Sequence, residues 1–413
     1  MMLVTRLAFR NAARNRVRTA LTAGIVFFGT ALLTIALSWM NGIFGQLLGS
    51  SAASAGHVRV LAPGYVAREQ LFPLYENVPE SAKVAADLSG VPGVSRVYPR
   101  ILTGVTITAG EEIGEVFGLV CGAPIPWYAE ELGLGENLIE GRLHAAGAEG
   151  EIVLGATIAS RVSATVGGEV VMIGQTQDGA ISPLKGTVVG IVSAGNALVD
   201  QGIFLPLAPV QYMADIGDGA TEILVYGEDR DDAGDLAAAI DAHPAFDAWS
   251  VEAWSSREPW GSMLAITGVV RGVLQLVIVF ITALGVWNTM MMSVLERTGE
   301  IGVMRAMGLS RLGAVSLFVI EALTIAISGG LAGIVVGGVA GLYLEFTGVE
   351  LGEELTKNLD SAIPFTARLY ADVSPSVLAT AFGLGLAMAF IGSAVPALRA
   401  ASIQPVEAMR ARR

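Results

Sequence analysis

Residues Asn288–Arg311 read NTMMMSVLERTGEIGVMRAMGLSR. The stretch begins inside an apolar run that stops at Glu296, and a second apolar run starts at Leu312. A polar segment between two runs of spanning length belongs at a membrane surface. Within it Glu296, Arg297, Glu300 and Arg305 alternate with Ile301, Val303, Met304 and Met307, which predicts a short helix with one greasy side. Gly308 is placed to end that helix and Ser310 to cap the next. Such an element either docks into a partner and passes force to both spans, or is a passive charged turn.

The chain has 413 residues, 53% of them hydrophobic and 15% charged. Its mean hydropathy of +0.60 exceeds that of an ordinary soluble enzyme. Apolar runs mark four spans, at 20–41, 262–294, 312–344 and 376–396. Residues before 20 carry five arginines and no acid, and the 295–311 loop carries three arginines against two glutamates. The 397–413 tail is also basic, whereas 345–375 holds six acids and two bases. Charge bias therefore predicts both termini and the 295–311 loop in the cytoplasm, with 42–261 and 345–375 outside. An alternative is a signal peptide cleaved near Ala53-Ser54-Ala55, but an apolar run of about 22 residues is longer than a usual signal core. We expect it to stay as a span.

Residues 42–261 contain 28 acidic and 10 basic residues, which argues against nucleic-acid binding. Cys121 is the single cysteine, so no internal disulfide forms and buried packing is its expected role. Both ends of this block read strand–helix–strand, at 57–61, 79–88 and 94–98 and again at 222–226, 231–242 and 246–251. They predict one small α/β lobe. Between them 122–209 is rich in glycine and β-branched residues and reads as a mainly β insertion. The fold class is thus a four-span α-helical membrane protein, N-in and C-in, with a large extracytoplasmic α/β domain containing that insertion.

Other features fit this frame. Residues 3–19 read as an amphipathic helix for the inner leaflet, with Arg6, Arg10 and Arg14 on one side. In the third span Gly329, Gly333, Gly337 and Gly341 share one face and should let another helix approach closely. Glu321, some ten residues inside that run, should face protein or water; an interhelical hydrogen bond is expected over a proton relay. No G-x-x-x-x-G-K-[ST] loop, HExxH or CxxC pattern occurs, so neither ATP binding of that kind nor a metal site is expected in this chain.

The opening stretch resembles the cytoplasmic loop of FtsX-like permeases, N-x-M-x-x-S-V-x-E-R-x-x-E-I-G-x-x-R-A-x-G. The positions matched are Asn288, Met290, Ser293, Val294, Glu296, Arg297, Glu300, Ile301, Gly302, Arg305, Ala306 and Gly308. The segments EIVLGATIASRV, GGEVVMIG, GTVVGIV and DQGIFLPLAPVQ resemble MacB-type periplasmic domains, and GHVRV at 56–60 resembles the lipoprotein-releasing (Lol-type) permeases in particular. The tail from Ala397 through Pro405, Glu407 and Arg410 resembles the family's ending, with one extra alanine in the spacing.

The resemblance implies a non-catalytic permease of a mechanotransmission ABC transporter in a bacterial inner membrane. A dimer of separate ATPase subunits would hold the ATP and Mg and grip Glu296, Arg297, Glu300, Ile301, Gly302, Arg305, Ala306 and Gly308. A second permease, identical or homologous, would complete the complex. The implied task is extraction of lipoproteins for a periplasmic carrier. From position alone, Met40, Phe44, Leu47, Met263 and Ile266 are the expected lipid-facing rim, and Gln175, Asp178 and Pro183 a carrier-binding hairpin. Alternatives are a MacB-like exporter of peptides or small amphiphiles, possibly with an adaptor, and an FtsX-like transmitter that activates an external partner.

Overall fold

A computed structural model describes residues 16–110, 114–194, 197–258, 260–350 and 368–403. Most of the expected 3–19 helix, most of the 345–375 loop and the tail from 404 lie outside these residues. The chain divides into two compact units. One comprises Met1–Gly45, Ile266–Glu350 and Arg368–Arg413; the other comprises Gln46–Ala265 and Leu351–Ala367.

The first unit is built from helices. Among the described residues four are long and apolar enough to cross a membrane: Val17–Gln46, Trp260–Glu296, Arg311–Thr347 and Pro375–Ser402. The first belongs to a continuous helix, Arg16–Ala55. Forty residues at 1.5 Å each give about 60 Å, roughly twice the hydrocarbon thickness, so the helix extends beyond a bilayer. The third and fourth spans pack along each other. Val26, Val286, Met290, Phe318, Ala322 and Ala389 bring all four spans into one buried cluster. The second span is the least covered: Val269, Val273, Leu276, Phe280 and Leu284 stay exposed along it. Such a face requires lipid or another protein.

The second unit is a mixed β structure. Its strands are β1 (Val58–Leu61), β2 (Val94–Thr108), β3 (Val116–Ala123), β4 (Leu138–Gly141), β5 (Glu151–Gly155), β6 (Glu169–Gln175), β7 (Ile181–Val192), β8 (Gly202–Pro206), β9 (Glu222–Gly227) and β10 (Ser250–Ala253). The order is β10-β1-β9-β2-β3-β8-β5-β7-β4, with β6 joining β2 to β7. Strands from both ends of the block therefore meet, β1 lying between β9 and β10. Helices Ser81–Leu88 and Ala233–Asp241 cover this part.

Several element limits differ from the sequence reading. β2 does not stop near Tyr98 but runs to Thr108, pairing first with β9 and then with β3 and β6. The sheet of the middle region thus also takes in Ile101–Ile107 and its partner β3, ahead of residue 122. The helix expected from Pro79 begins at Ser81, because Glu80 adopts a left-handed conformation at φ 50°. The strand expected from Phe246 begins at Ser250, because Pro244–Phe246 forms a 3-10 turn capped by His243.

The core of the middle region packs Trp127, Tyr128, Val153, Val192 and Phe204 around Cys121. Burial pushes the Cys121 thiol up to about 11, so it stays protonated and serves as packing.

Candidate functional site

The loop between the second and third spans carries a helix, Thr298–Ala306. It follows the second span with Arg297 as its N-terminal flanking residue. Gly308, at φ 101°, occupies a backbone region that side chains disfavour and turns the chain away. Ser310 Oγ then accepts the Gly313 N–H at 3.0 Å, capping the third span.

The helix has two faces, and they are not those of a single greasy side. Ile301 and Gly302 are buried, and Met304 packs against the same cluster as Ile301. Val303, Ala306, Met307 and Gly308 are exposed, Met307 to 76%. The reason is helical spacing. Residues 301 and 304 share one flank, while 300, 303 and 307 fall together on the other. The apolar residues of this loop are thus divided between an inner anchor and an outer surface.

The two arginines of the motif, Arg297 and Arg305, turn inward. Arg305 Nη1 donates to the carbonyl oxygens of Ala401 at 2.6 Å and Ile403 at 2.7 Å. These carbonyls end the fourth span, where unpaired C=O groups and the helix dipole favour a cation. Arg297 pairs with Glu300 at 3.2 Å and with Glu321 of the third span at 3.2 Å. Of the eight residues expected to meet an ATPase, Arg297, Ile301, Gly302 and Arg305 thus hold the helix from within. Glu296, Glu300, Ala306 and Gly308 are exposed, together with Val303 and Met307.

The glycine face of the third span lies against the first span. A side-chain carbon at Gly329, Gly333 or Gly337 would lie 2.5, 2.7 or 2.8 Å from the carbonyl oxygens of Ala23, Phe27 and Ala31 respectively. At Gly341 it would meet Val373 at 2.7 Å, just before the fourth span. Between the first and second spans runs an apolar groove of about 570 Å³, lined by Gly24, Phe28 and Leu32 on one side and Ile278, Ile281 and Gly285 on the other. Sequence reading missed this groove. Its available signal was Gly24, where a side-chain carbon would meet nothing within 4 Å; at Gly29 and Gly285 the side chains of Thr282 and Ile25 fill that place instead.

Of the expected rim, Met40 and Phe44 are partly buried, whereas Ile266 is exposed. Met263 is partly buried and belongs to the other unit, and the side chain of Leu47 lies outside the description. In the β unit, β6 and β7 form the hairpin that contains Gln175, Asp178 and Pro183. Gln175 pairs with Ile181 and Ile173 with Pro183, so all four side chains share one face. Gly179 at φ 80° makes the turn, and Asp178 is exposed at its tip.

Sequence reading also missed how the last turn of the long first helix is held. Arg100 Nη1 donates to the Ser54 carbonyl, and Tyr226 Oη donates to the Ala53 carbonyl at 2.6 Å. Arg100 is fixed by Glu222 at 3.1 Å and Tyr226 by the Trp127 indole N–H at 2.7 Å. The signal was Arg100 and Glu222 beside the apolar runs of β2 and β9.

These features are those of a helical membrane protein whose loop helix is tied to its spans and whose first helix ends in a β-rich domain. The chain belongs to the MacB/FtsX family of ABC transporter permeases: residues 19–243 match the MacB-like periplasmic core domain and residues 272–405 the FtsX-like permease C-terminal domain. It is 25% identical to the lipoprotein-releasing system transmembrane protein LolC of Neisseria meningitidis, over 97% of this chain and 95% of that one. With LolE of Haemophilus influenzae, of the same system, identity is 24% over 93% and 92% of the two chains. The macrolide export ATP-binding/permease protein MacB of Nitrobacter winogradskyi is 30% identical over 41% of this chain and 22% of its own length. The chain is therefore a membrane protein with a MacB-like periplasmic domain.

Proposed function

We propose that this chain is the non-catalytic permease subunit of a mechanotransmission ABC transporter that extracts lipoproteins from the inner membrane for a periplasmic carrier. The observation that carries the reading is the division of labour in the 298–306 helix. Arg305 and Ile301 fasten it to the spans, while Val303, Ala306 and Met307 face out as a small apolar surface. An ATPase subunit that grips this surface moves the spans with it. ATP and Mg reside in that partner. Both termini and the loop are cytoplasmic, and the β unit is periplasmic.

Two permeases, identical or homologous, form the membrane core. The exposed face of the second span and the neighbouring groove meet acyl chains or the second permease. Met40, Phe44 and Ile266, of the helical unit, are the rim residues proposed to meet lipid. The exposed Gln175–Pro183 face, with Ile173 and Ile181, is the surface offered to a carrier. The near full-length likeness to LolC and LolE supports the lipoprotein substrate.

Photo-crosslinking tests the substrate. With a crosslinker at Phe28 in the groove and at Phe44, the proposal expects a lipoprotein adduct at one or both. A small amphiphile in its place, with an adaptor protein copurifying, would favour the exporter reading that the MacB likeness supports.

A further inference from the structure

Glu321 is a carboxylate inside an apolar helix, ten residues beyond its first residue Arg311, or about 15 Å along the axis. Its side chain is only 3% exposed. Neither packing nor solvation explains a charge there, since burial of a carboxylate is costly without partners. Its partners come from two other elements. Arg297 Nη1, at the head of the loop helix, lies 3.2 Å from Oε2, and Arg18 Nη2, at the base of the first span, lies 3.9 Å from Oε1. Arg18 Nη1 in turn meets Glu296 at 3.1 Å, and Arg297 Nε meets Glu300 at 3.2 Å. The five groups form an alternating line, Glu296–Arg18–Glu321–Arg297–Glu300, with its single fully buried member in the middle.

We propose that Glu321 is the positioning residue of the loop helix. Through it the third span holds both Arg297 and Arg18, so that displacement of the loop helix moves the first and third spans as one. The geometry favours this over a simple interhelical tie. A tie needs one partner, whereas Glu321 stands between two arginines that would repel each other without it. The same two spans are already in backbone contact along Gly329, Gly333 and Gly337, which leaves them no independent path. A push received at Met307 is thus delivered to the first helix, the one that continues to Ala55. The proposal rests on the reading of the loop as the ATPase docking site.

The test uses the full chain in lipid nanodiscs, with a spin label at Met307→Cys after Cys121→Ser. Glu321→Gln should raise the mobility of the label, and Glu321→Asp should largely preserve wild-type mobility. In the complex with its ATPase, Glu321→Gln should leave hydrolysis in place while substrate released per ATP falls at least about fivefold. Wild-type mobility and release in Glu321→Gln would overturn the proposal. So would hydrolysis and release that fall together in proportion to folded protein. If that variant does not fold, Arg18→Gln, which removes one arm, carries the same readouts, and wild-type release per ATP there would overturn it. A wild-type chain that binds no ATPase would remove the docking reading, while the label mobility would still report on Glu321.

Discussion

A side chain at Gly333 would start 2.7 Å from the carbonyl oxygen of Phe27, closer than atoms of that kind approach. The third span can lie on the first only because this position is bare. Where lipid supplies no hydrophobic drive between helices, such close backbone contact is the main attraction left. Gly333→Leu should therefore destabilise the helical unit by about 1–3 kcal/mol, the usual cost of overpacking. Gly383→Leu, on a fourth-span position with nothing within 4 Å, serves as the control and should change little. Thermal unfolding in detergent separates the two.

The outer and inner faces of the loop helix should respond differently. Met307→Asp puts a charge on an exposed surface and should leave the fold intact while weakening ATPase binding. Ile301→Asp buries a charge in the cluster of Val294, Phe318 and Ala397, and should cost several kcal/mol of stability, at least about 3. Folded yield and ATPase copurification, measured side by side, check this. Equal loss of yield in both variants would mean that the two faces are not distinct.

Arg100 and Tyr226 hold the final carbonyls of the first helix, and Arg100 is buried with Glu222. Arg100→Ala removes the hydrogen-bonded partner of Glu222 and leaves it only Arg59 at 3.9 Å, and should cost about 3 kcal/mol. Tyr226→Phe strands the Ala53 carbonyl and the Trp127 N–H, and about 1–3 kcal/mol is expected. Hydrogen exchange at the end of the helix should rise in both, and more in the first.

Acid should weaken the β unit in two stages. Burial holds His57 and His144 below their ordinary value of 6.5, so the unfolded chain takes up their protons first. Stability is complete above about pH 6.5 and falls as the pH drops toward the lowered folded values. Burial raises the Glu69 carboxyl, but hydrogen bonds and charge from Arg59 and Arg257 outweigh it and leave it below 4.5. Its contribution is present above that value and is lost as pH falls through the folded one. Melting temperature against pH should show the first decline, and His144→Gln should reduce it.

Much of this molecule was legible because its signals are local. Runs of apolar residues, Gly308 and Ser310 gave the spans and the loop helix, and the glycine spacing gave a packing face. What stayed hidden depends on pairing across long separations. β2 looked finished at Pro99-Arg100, since proline and a charge ordinarily end a strand, yet Arg100 is satisfied by Glu222 and by the helix end at Ser54. The loop's apolar residues counted as one greasy side because sequence shows spacing but not which neighbours surround it. Glu321 announced a partner without naming it, and both partners are arginines from other elements. The groove beside Gly24 was missed for a similar reason: a glycine marks the position, but the space exists only between two helices.

The central claim is that this chain does mechanical work supplied by a separate ATPase through the 298–306 helix. The most direct test is to purify the chain from its native membrane in mild detergent and identify what accompanies it by mass. The account predicts a separate ATPase subunit in stoichiometric amount, retained by the wild type and lost with Met307→Asp. A wild-type chain that purifies without any ATPase, or that hydrolyses ATP alone, would contradict it.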